Sequence, residues 1–266
     1  MKINNSNLVF FQGRCLPENA NIYNKFPKKW RAEIDCVKKI GFEFIDLIYD
    51  KENRLILKLD KVLLYCKKKK LNVNSVIADK FLKKKSKKKN NHILLSEILE
   101  ALQIFEKYGI KSLTVPFIEN NYLSYKDLIT TLNEIYISIR NKKIKFYFEY
   151  NDSYEKLNNQ LNHYNDKILL CYDTGNAIEN KRNVYSDIIK FQKIIGHVHL
   201  KDKKLNHGKY IKCQFGKGDL NIERFFQTFK KMKNKNIKMT FETFMGSNPI
   251  VNLEKNYKNS LDFLKN

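Results

Sequence analysis

The fold is indicated most clearly by residues 168–200, which read ILLCYDTGNAIENKRNVYSDIIKFQKIIGHVHL. Two apolar segments, 168–173 and 196–200, enclose an amphipathic stretch at 184–193. Each apolar segment is continuous rather than alternating, which is typical of parallel strands covered by other elements on both faces. The stretch therefore predicts one strand–helix–strand unit of a parallel sheet.

The same alternation of apolar and amphipathic segments extends over the whole chain. The predicted strands are 8–13, 42–48, 73–78, 112–117, 145–150, 168–173, 196–200 and 238–243. The predicted helices are 28–39, 56–70, 92–109, 125–141, 153–163, 184–193, 221–235 and 252–265. Eight strands, each followed by one helix, predict a (β/α)8 TIM barrel of the α/β class. No linker rich in Pro, Gly or Ser divides the 266 residues, so we predict a single domain that spans 1–266. An open doubly wound sheet is the alternative, but the absence of a glycine-rich first turn makes it the weaker interpretation.

The chain is strongly basic. Lys and Arg number 51 against 28 Asp and Glu, which gives a formal net charge of +23. Such an excess attracts nucleic acid, anionic membranes or phosphorylated small molecules. The lysines are spread through loops and helices alike, so we interpret the charge as compositional bias and expect no nucleic-acid partner. One basic segment, 83–91, follows the third predicted strand, where it either grips an anionic part of a substrate or forms a solvated loop.

The cysteine pattern and the absence of long apolar runs indicate the cellular compartment in which the protein is expected. The five cysteines are odd in number and scattered, and none forms a C-x-x-C pair, which fits a reducing compartment. No apolar run approaches the length of a membrane span, and 8–11 is too short for the apolar region of a signal peptide. We therefore expect a cytoplasmic protein without a membrane partner.

Four neighbouring strand ends carry residues that bind metals. The fifth, sixth, seventh and eighth predicted strands end in or contain Glu149, Asp173, His199 and Glu242, and His197 lies two residues before His199. In a TIM barrel such strand ends converge on one opening. Three carboxylates and an imidazole form a mixed oxygen and nitrogen site, for which we expect Mn²⁺ first, with Mg²⁺, Co²⁺ or Zn²⁺ as alternatives. Each residue alone has a structural explanation, such as a pair with a lysine, but all four together favour a metal site because burying these acids without a cation is costly.

Several motifs resemble those of one known family. They are GFEFIDL at 41–47, DTGN at 173–176, HVHLKD at 197–202 and FGKGD at 215–219. The sequence resembles the sugar phosphate isomerase/epimerase group of xylose-isomerase-like TIM barrels, and most closely the L-ribulose/L-xylulose 5-phosphate 3-epimerases. The resemblance spans nearly the whole chain, is strongest from 168 to 266 and is weaker from 80 to 140.

The resemblance implies a ligand set and a mechanism. In that family a Glu, an Asp, a His and a Glu hold one metal, and these positions match Glu149, Asp173, His199 and Glu242. The metal acts as a Lewis acid that stabilises an enediolate. Glu149 and Glu242 would lie on opposite faces of a bound ketose, where one removes the C3 proton and the other delivers a proton to the opposite face. The implied activity is ketose 3-epimerisation, or aldose–ketose isomerisation if the protons move between C1 and C2.

Contacts to a sugar or sugar phosphate are expected around this centre. Arg14 and Lys201 are expected to contact an anion or hydroxyl, and the backbone amides around Gly216 to approach a phosphate. Asp79 is expected to bind a sugar hydroxyl or to orient a neighbour. Asn176 stands where many relatives carry a histidine that binds substrate or a further metal. Members of the group are often dimers or tetramers, which implies a homo-oligomer.

Other functions stay open. A hydroxypyruvate isomerase or an inosose-type dehydratase would share the metal site and differ in its substrate contacts. An AP-endonuclease-like DNA repair enzyme would need a three-metal cluster with more histidines, whereas His92 and His163 fall in predicted helices and Asn176 replaces a ligand. A non-catalytic sugar-binding barrel is the remaining alternative, and retention of all four ligands argues against it.

Overall fold

The structure is a computed structural model that describes residues 5–15, 25–50, 52–78, 81, 91–118, 123–152, 154–234, 236–242 and 246–265. Eight parallel strands close a barrel in the order β1-β10-β7-β6-β5-β4-β3-β2. The barrel strands are β1 (Leu8–Phe11), β2 (Phe44–Ile48), β3 (Asn72–Ile77), β4 (Ser112–Pro116), β5 (Lys145–Glu149), β6 (Ile168–Asp173), β7 (Ile195–Leu200) and β10 (Lys238–Phe241). Between β7 and β10 lies an antiparallel hairpin of β8 (Lys203–Asn206) and β9 (Lys209–Lys212). The predicted TIM barrel is confirmed.

Helices cover the outside of the barrel. They are α1 (Trp30–Ile40), α2 (Leu59–Lys68), α3 (Asn91–Lys107), α4 (Tyr125–Ile139), α5 (Tyr154–Leu161), α6 (Thr174–Glu179), α7 (Val184–Lys190), α8 (Ile222–Lys231) and α9 (Pro249–Lys265). Short 3-10 turns occupy Asn5–Asn7, Ile56–Lys58 and Asn162–Tyr164. Among the helices in the described ranges, none has the length and apolarity that crossing a membrane requires.

Helix boundaries follow from capping residues. Asn221 accepts a hydrogen bond from the Arg224 backbone N–H at 2.9 Å and starts α8, whose Phe225, Phe226 and Phe229 are buried against the sheet. At the end of α1, Gly41 has a φ of +116°, a region that glycine enters without steric cost. The Tyr257 hydroxyl donates to the Gly41 carbonyl at 2.8 Å, which ties the last helix to the turn into β2.

Polar side chains fill part of the barrel interior. The Thr240 hydroxyl donates to Asp46 Oδ2 at 2.5 Å and lies 2.6 Å from His197 Nε2. The Asn74 side-chain amide donates to Asp46 Oδ1 at 2.8 Å. All but Asn74 are fully buried, and buried polar groups persist where each finds a partner. This layer lies directly below the strand ends that carry the acidic residues.

Two elements were missing from the predicted pattern. The six-residue helix α6, which Asp173 caps, lies in no predicted helix, and the hairpin β8–β9 was not predicted. In the hairpin turn, His207 and Gly208 have positive φ angles of 46° and 78°, as a two-residue turn requires, and Gly208 is the residue type that such a turn favours. Most strand and helix ends differ from the predicted limits by one to four residues, with α8 ending at Lys231 rather than 235.

Candidate metal centre

Four adjacent barrel strands bring four potential ligands to one opening. Glu149 ends β5, Asp173 ends β6, His199 lies near the end of β7, and Glu242 follows β10. The register places Asp173 beside His199, because these two residues are paired across β6 and β7. One ligand atom from each of the four residues lies within 4.8 Å of the others. The structure thus brings together all four residues that the sequence predicted as ligands.

The imidazole of His199 sits between two carboxylates. His199 Nδ1 lies 2.8 Å from Glu149 Oε1 and 2.6 Å from Glu242 Oε2, and the histidine is fully buried. His199 Nδ1, Glu242 Oε2 and Asp173 Oδ2 are buried atoms that make no well-oriented hydrogen bond, although Lys201 Nζ lies 2.7 Å from Asp173 Oδ2. Placing three carboxylates around one buried imidazole is costly unless cations offset their charge. Their oxygen and nitrogen chemistry fits a divalent metal ion.

Each carboxylate uses one oxygen for the protein and turns the other toward the site. Asp173 Oδ1 accepts the backbone N–H of Asn176 at 2.8 Å and caps α6. Glu149 Oε2 accepts the side-chain amide of Asn176 at 3.2 Å. Glu242 Oε1 lies 3.2 Å from Arg14 Nη2 and 2.9 Å from Lys201 Nζ. The protein therefore fixes the orientation of all three carboxylates independently of any ligand.

Lys201 and Arg14 supply positive charge next to the carboxylates. Lys201 Nζ lies 2.7 Å from Asp173 Oδ2 as well as near Glu242, and 20% of its side chain remains exposed. Burial opposes ionisation of Glu242, but Lys201 and then His199 hold the pKa of its carboxyl well below the ordinary value. Burial raises the pKa of Asp173, against the opposing effect of Lys201. Both predicted substrate contacts, Arg14 and Lys201, thus border the centre.

Glycine allows Lys201 to approach α6. A Cβ atom at Gly175 would lie 2.7 Å from Lys201 Cβ and 3.4 Å from Asp173 Oδ1. The Thr174 hydroxyl also lies 2.6 Å from the Lys201 carbonyl oxygen, to which it donates. The short helix after β6 is therefore packed against the end of β7, which keeps Asp173, Asn176 and Lys201 in one place.

A second group of potential ligands lies deeper in the barrel. Cys171, His197 and His199 also bring ligand atoms together. Burial raises the pKa of the Cys171 thiol to about 12, so a metal would have to displace a tightly held proton to use this group as a ligand. His197 Nε2 is engaged by Thr240 at 2.6 Å and lies 3.3 Å from Asp46 Oδ2. The carboxylate group with His199 is consequently the better metal site.

The loop after the hairpin differs from its predicted role. The backbone N–H groups of Gly216 and Gly218 each donate to Asp202 Oδ2 at 2.9 Å, and the N–H of Leu220 donates to Oδ1 at 3.2 Å. A Cβ atom at Gly218 would lie 2.2 Å from Asp202 Oδ1, so glycine is required there. Because a carboxylate already occupies these amides, Gly216 and Gly218 are not available to a substrate phosphate through their N–H groups. Asp202 orients this loop instead.

Two predicted features fall outside the described part of the chain. Asp79 and nearly all of the basic segment 83–91 have no described placement.

One residue near the site was missed by sequence reasoning. Glu33 of α1 is buried, and its Oε1 accepts the N–H groups of Gly13 and Cys15 at 2.8 and 3.3 Å, which flank Arg14. Its position on the apolar face of α1, one turn after Trp30, was the available signal.

A closed barrel of eight parallel strands with helices on its outside defines a TIM barrel, and the polar side chains converge at the carboxyl ends of its strands. The family model described as xylose isomerase-like TIM barrel matches residues 34–266, so the chain belongs to that family. No curated protein sequence matches the chain significantly.

Solved structures with the same fold cover nearly the whole chain. The IolI protein with a bound zinc atom is 15% identical, with a TM-score of 0.71 over 97% of this chain and 98% of that one. The 3-keto-D-glucoside 4-epimerase YcjR from E. coli is 16% identical, with a TM-score of 0.68 and the same coverage. D-psicose 3-epimerase from Clostridium cellulolyticum H10, solved with D-tagatose, is 11% identical, with a TM-score of 0.67 over 97% of this chain and 98% of that one. At these identities the likeness concerns the fold.

Proposed function

We propose that this protein is a divalent-metal-dependent sugar or sugar phosphate isomerase/epimerase, and that it catalyses epimerisation at C3 of a ketose. The observation that carries the proposal is the convergence of four ligand atoms from three carboxylates and one imidazole, three of which are buried and make no well-oriented hydrogen bond. Membership of the xylose isomerase-like family supports it, as do structural neighbours that are sugar epimerases or hold zinc. We further propose that residues 1–266 act as one domain.

Glu149, Asp173, His199 and Glu242 would hold a single metal ion. When bound, a divalent cation polarises a substrate carbonyl and makes the neighbouring C–H bond more acidic. We expect Mn²⁺ to be the first metal to test, with Mg²⁺, Co²⁺ and Zn²⁺ as alternatives. Within the described residues the two candidate groups share His199, which favours one metal over the three-metal cluster of an AP-endonuclease-like enzyme.

The proton steps would fall to the two glutamates. One carboxylate takes the proton from the carbon next to the carbonyl, and the other returns a proton to the opposite face, so the centre inverts without change in composition. Asn176 steadies Glu149 through its 3.2 Å hydrogen bond. Lys201 and Arg14 keep Glu242 ionised. They would also donate hydrogen bonds to hydroxyl or phosphate oxygens of the substrate. Asp79 stays a proposed hydroxyl contact.

Carbon-bound deuterium would test this function. Enzyme loaded with Mn²⁺ is incubated in D₂O with a panel of pentulose and hexulose phosphates and free ketoses, and exchange is followed by NMR. Deuterium at C3 is the expected result, whereas deuterium at C1 or C2 would identify an aldose–ketose isomerase. Loss of water would identify a dehydratase. Exchange that persists after chelator treatment would contradict the metal-dependent mechanism.

A further inference from the structure

A cavity opens at the end of the barrel opposite to the carboxylates of the candidate metal centre. It has a volume of about 730 Å³, and its walls include the first residues of three strands, Ser112, Lys145 and Lys238. Lys145 and Glu149 stand at the two ends of β5, four residues apart, which corresponds to roughly 13 Å along a parallel strand. The cavity is therefore separate from the candidate metal centre.

Five lysines and one glutamate line this cavity, which we call the basal cavity: Lys111, Lys142, Lys143, Lys145, Lys238 and Glu106. Lys142 Nζ lies 3.5 Å from Glu106 Oε2. Among the residues that the structure describes, Lys111, Lys143 and Lys145 have no carboxylate within ion-pair distance. Burial lowers the pKa of Lys238, and the nearby Lys111 contributes to that fall. The Lys238 ammonium donates to the Ser6 carbonyl and lies over the Phe44 ring, so Lys111, Lys143 and Lys145 supply the unbalanced charge at this cavity.

The floor of the basal cavity is polar and kept open. Tyr147 lines it, and its hydroxyl makes no hydrogen bond to any residue with a described position. Gly196 adjoins Tyr147, because a Cβ atom there would lie 2.7 Å from Tyr147 Cε1. The Ser112 hydroxyl is already used, since it donates to the Asn74 carbonyl at 3.0 Å. The lining of the cavity therefore combines lysine side chains with one tyrosine whose hydroxyl has no partner among the described residues.

We propose that the basal cavity binds a small polyanion, of the class of molecules that carry two or more phosphate groups. The cavity volume falls within the range of small-molecule sites. Lysines bind phosphate oxygens as point charges, and several on one wall suit a ligand with more than one phosphate. Compositional bias alone would spread lysines over convex, solvated surfaces, whereas these converge from three strand starts and the loops between them.

Calorimetric titration with inorganic tripolyphosphate at constant ionic strength would test this site. The cavity variant is the triple substitution Lys111→Gln, Lys143→Gln and Lys145→Gln. A matched control removes the same charge from three exposed lysines elsewhere, by Lys61→Gln, Lys193→Gln and Lys255→Gln. We expect the wild type and the control to bind one equivalent alike, and the cavity variant to bind at least about tenfold more weakly.

Three results would overturn the proposal. They are no binding by the wild type, equal affinity in the cavity variant, or an equal loss in the control, which would indicate diffuse attraction by the net charge. Because Lys145 starts a barrel strand, Lys143→Glu in the exposed loop before β5 serves as a second variant that leaves the strand intact. It is expected to weaken tripolyphosphate binding several-fold, and unchanged affinity would count against the site. Neither measurement depends on turnover or on the metal centre.

Discussion

Replacing the buried Glu33 with glutamine should remove a pH-dependent loss of stability. Burial raises the pKa of the Glu33 carboxyl from 4.5 to about 7, against the opposing hydrogen bonds from Cys15 and Gly13. Only Oε1 is hydrogen-bonded, and Oε2 is a buried oxygen without a partner. The ionised form is therefore the disfavoured form in the folded protein.

The sign and size of the effect follow from this shift. Because the folded protein holds the proton more tightly than the unfolded chain, the contribution of Glu33 to stability is fully present below pH 4.5. It is lost as the pH rises toward and through about 7. A shift of this size corresponds to roughly 3 kcal/mol of unfolding free energy. Glu33→Gln keeps an acceptor for the two N–H groups but cannot ionise, so its stability relative to the wild type should rise between pH 4.5 and 8.

Urea unfolding at a series of pH values, with chelator present, measures this difference. Trp30 is the single tryptophan, is buried, and lies one turn before Glu33 on α1, so its fluorescence reports the relevant helix. Glu134→Gln at an exposed position of α4 is the matched control and should stay parallel to the wild type. Parallel curves for Glu33→Gln and the wild type over the whole range would refute the reasoning.

Three further outcomes are expected. Glu242→Gln should abolish turnover and weaken Mn²⁺ binding by about tenfold or more. Mn²⁺ should raise the melting temperature of the wild type but not of this variant. Turnover like that of the wild type would contradict the mechanism. Asp202→Ala leaves three loop amides unpaired and should lower the unfolding free energy in urea by about 2–4 kcal/mol, whereas a loss below about 0.5 kcal/mol would show that the carboxylate does not hold the loop. Gly196→Ala brings a methyl group to 2.7 Å from the side chains of Leu169 and Tyr147 and should lower the unfolding free energy in urea by about 1–3 kcal/mol. An unchanged urea midpoint would show that these side chains move aside at no measurable cost.

The barrel could be predicted from the sequence because parallel strands covered on both sides leave a strong signal. Ile168–Asp173 is buried along its whole length and carries no charge before Asp173, so its continuous apolar run differs from the spaced apolar residues of the helices. The hairpin β8–β9 lacks that signal, since none of its eight strand residues is buried and most are polar or basic. Short elements that pack against little leave no hydrophobic pattern to read.

The site was predictable as a set of strand ends but not in its internal pairing. Sequence order places the four candidate ligands at the carboxyl ends of neighbouring strands. The ion-pair partners of Arg14 and Lys201 depend instead on side-chain geometry across the barrel. The loop whose backbone N–H groups donate to Asp202 was likewise not predictable in its pairing. A glycine-rich stretch predicts close approach of the backbone to an anion, but here the anion is a carboxylate of the chain itself.

Lys201 and Arg14 also explain how three carboxylates can be buried together in the folded chain. Asp173 and Glu149 are almost fully buried, and each ionised acid in such a place costs several kcal/mol without a partner. Lys201 contacts Asp173 and Glu242, and Arg14 contacts Glu242, so two cations already offset part of the charge. Contacts within the protein therefore hold all four candidate ligands in place, in contrast to small domains whose folding requires a metal.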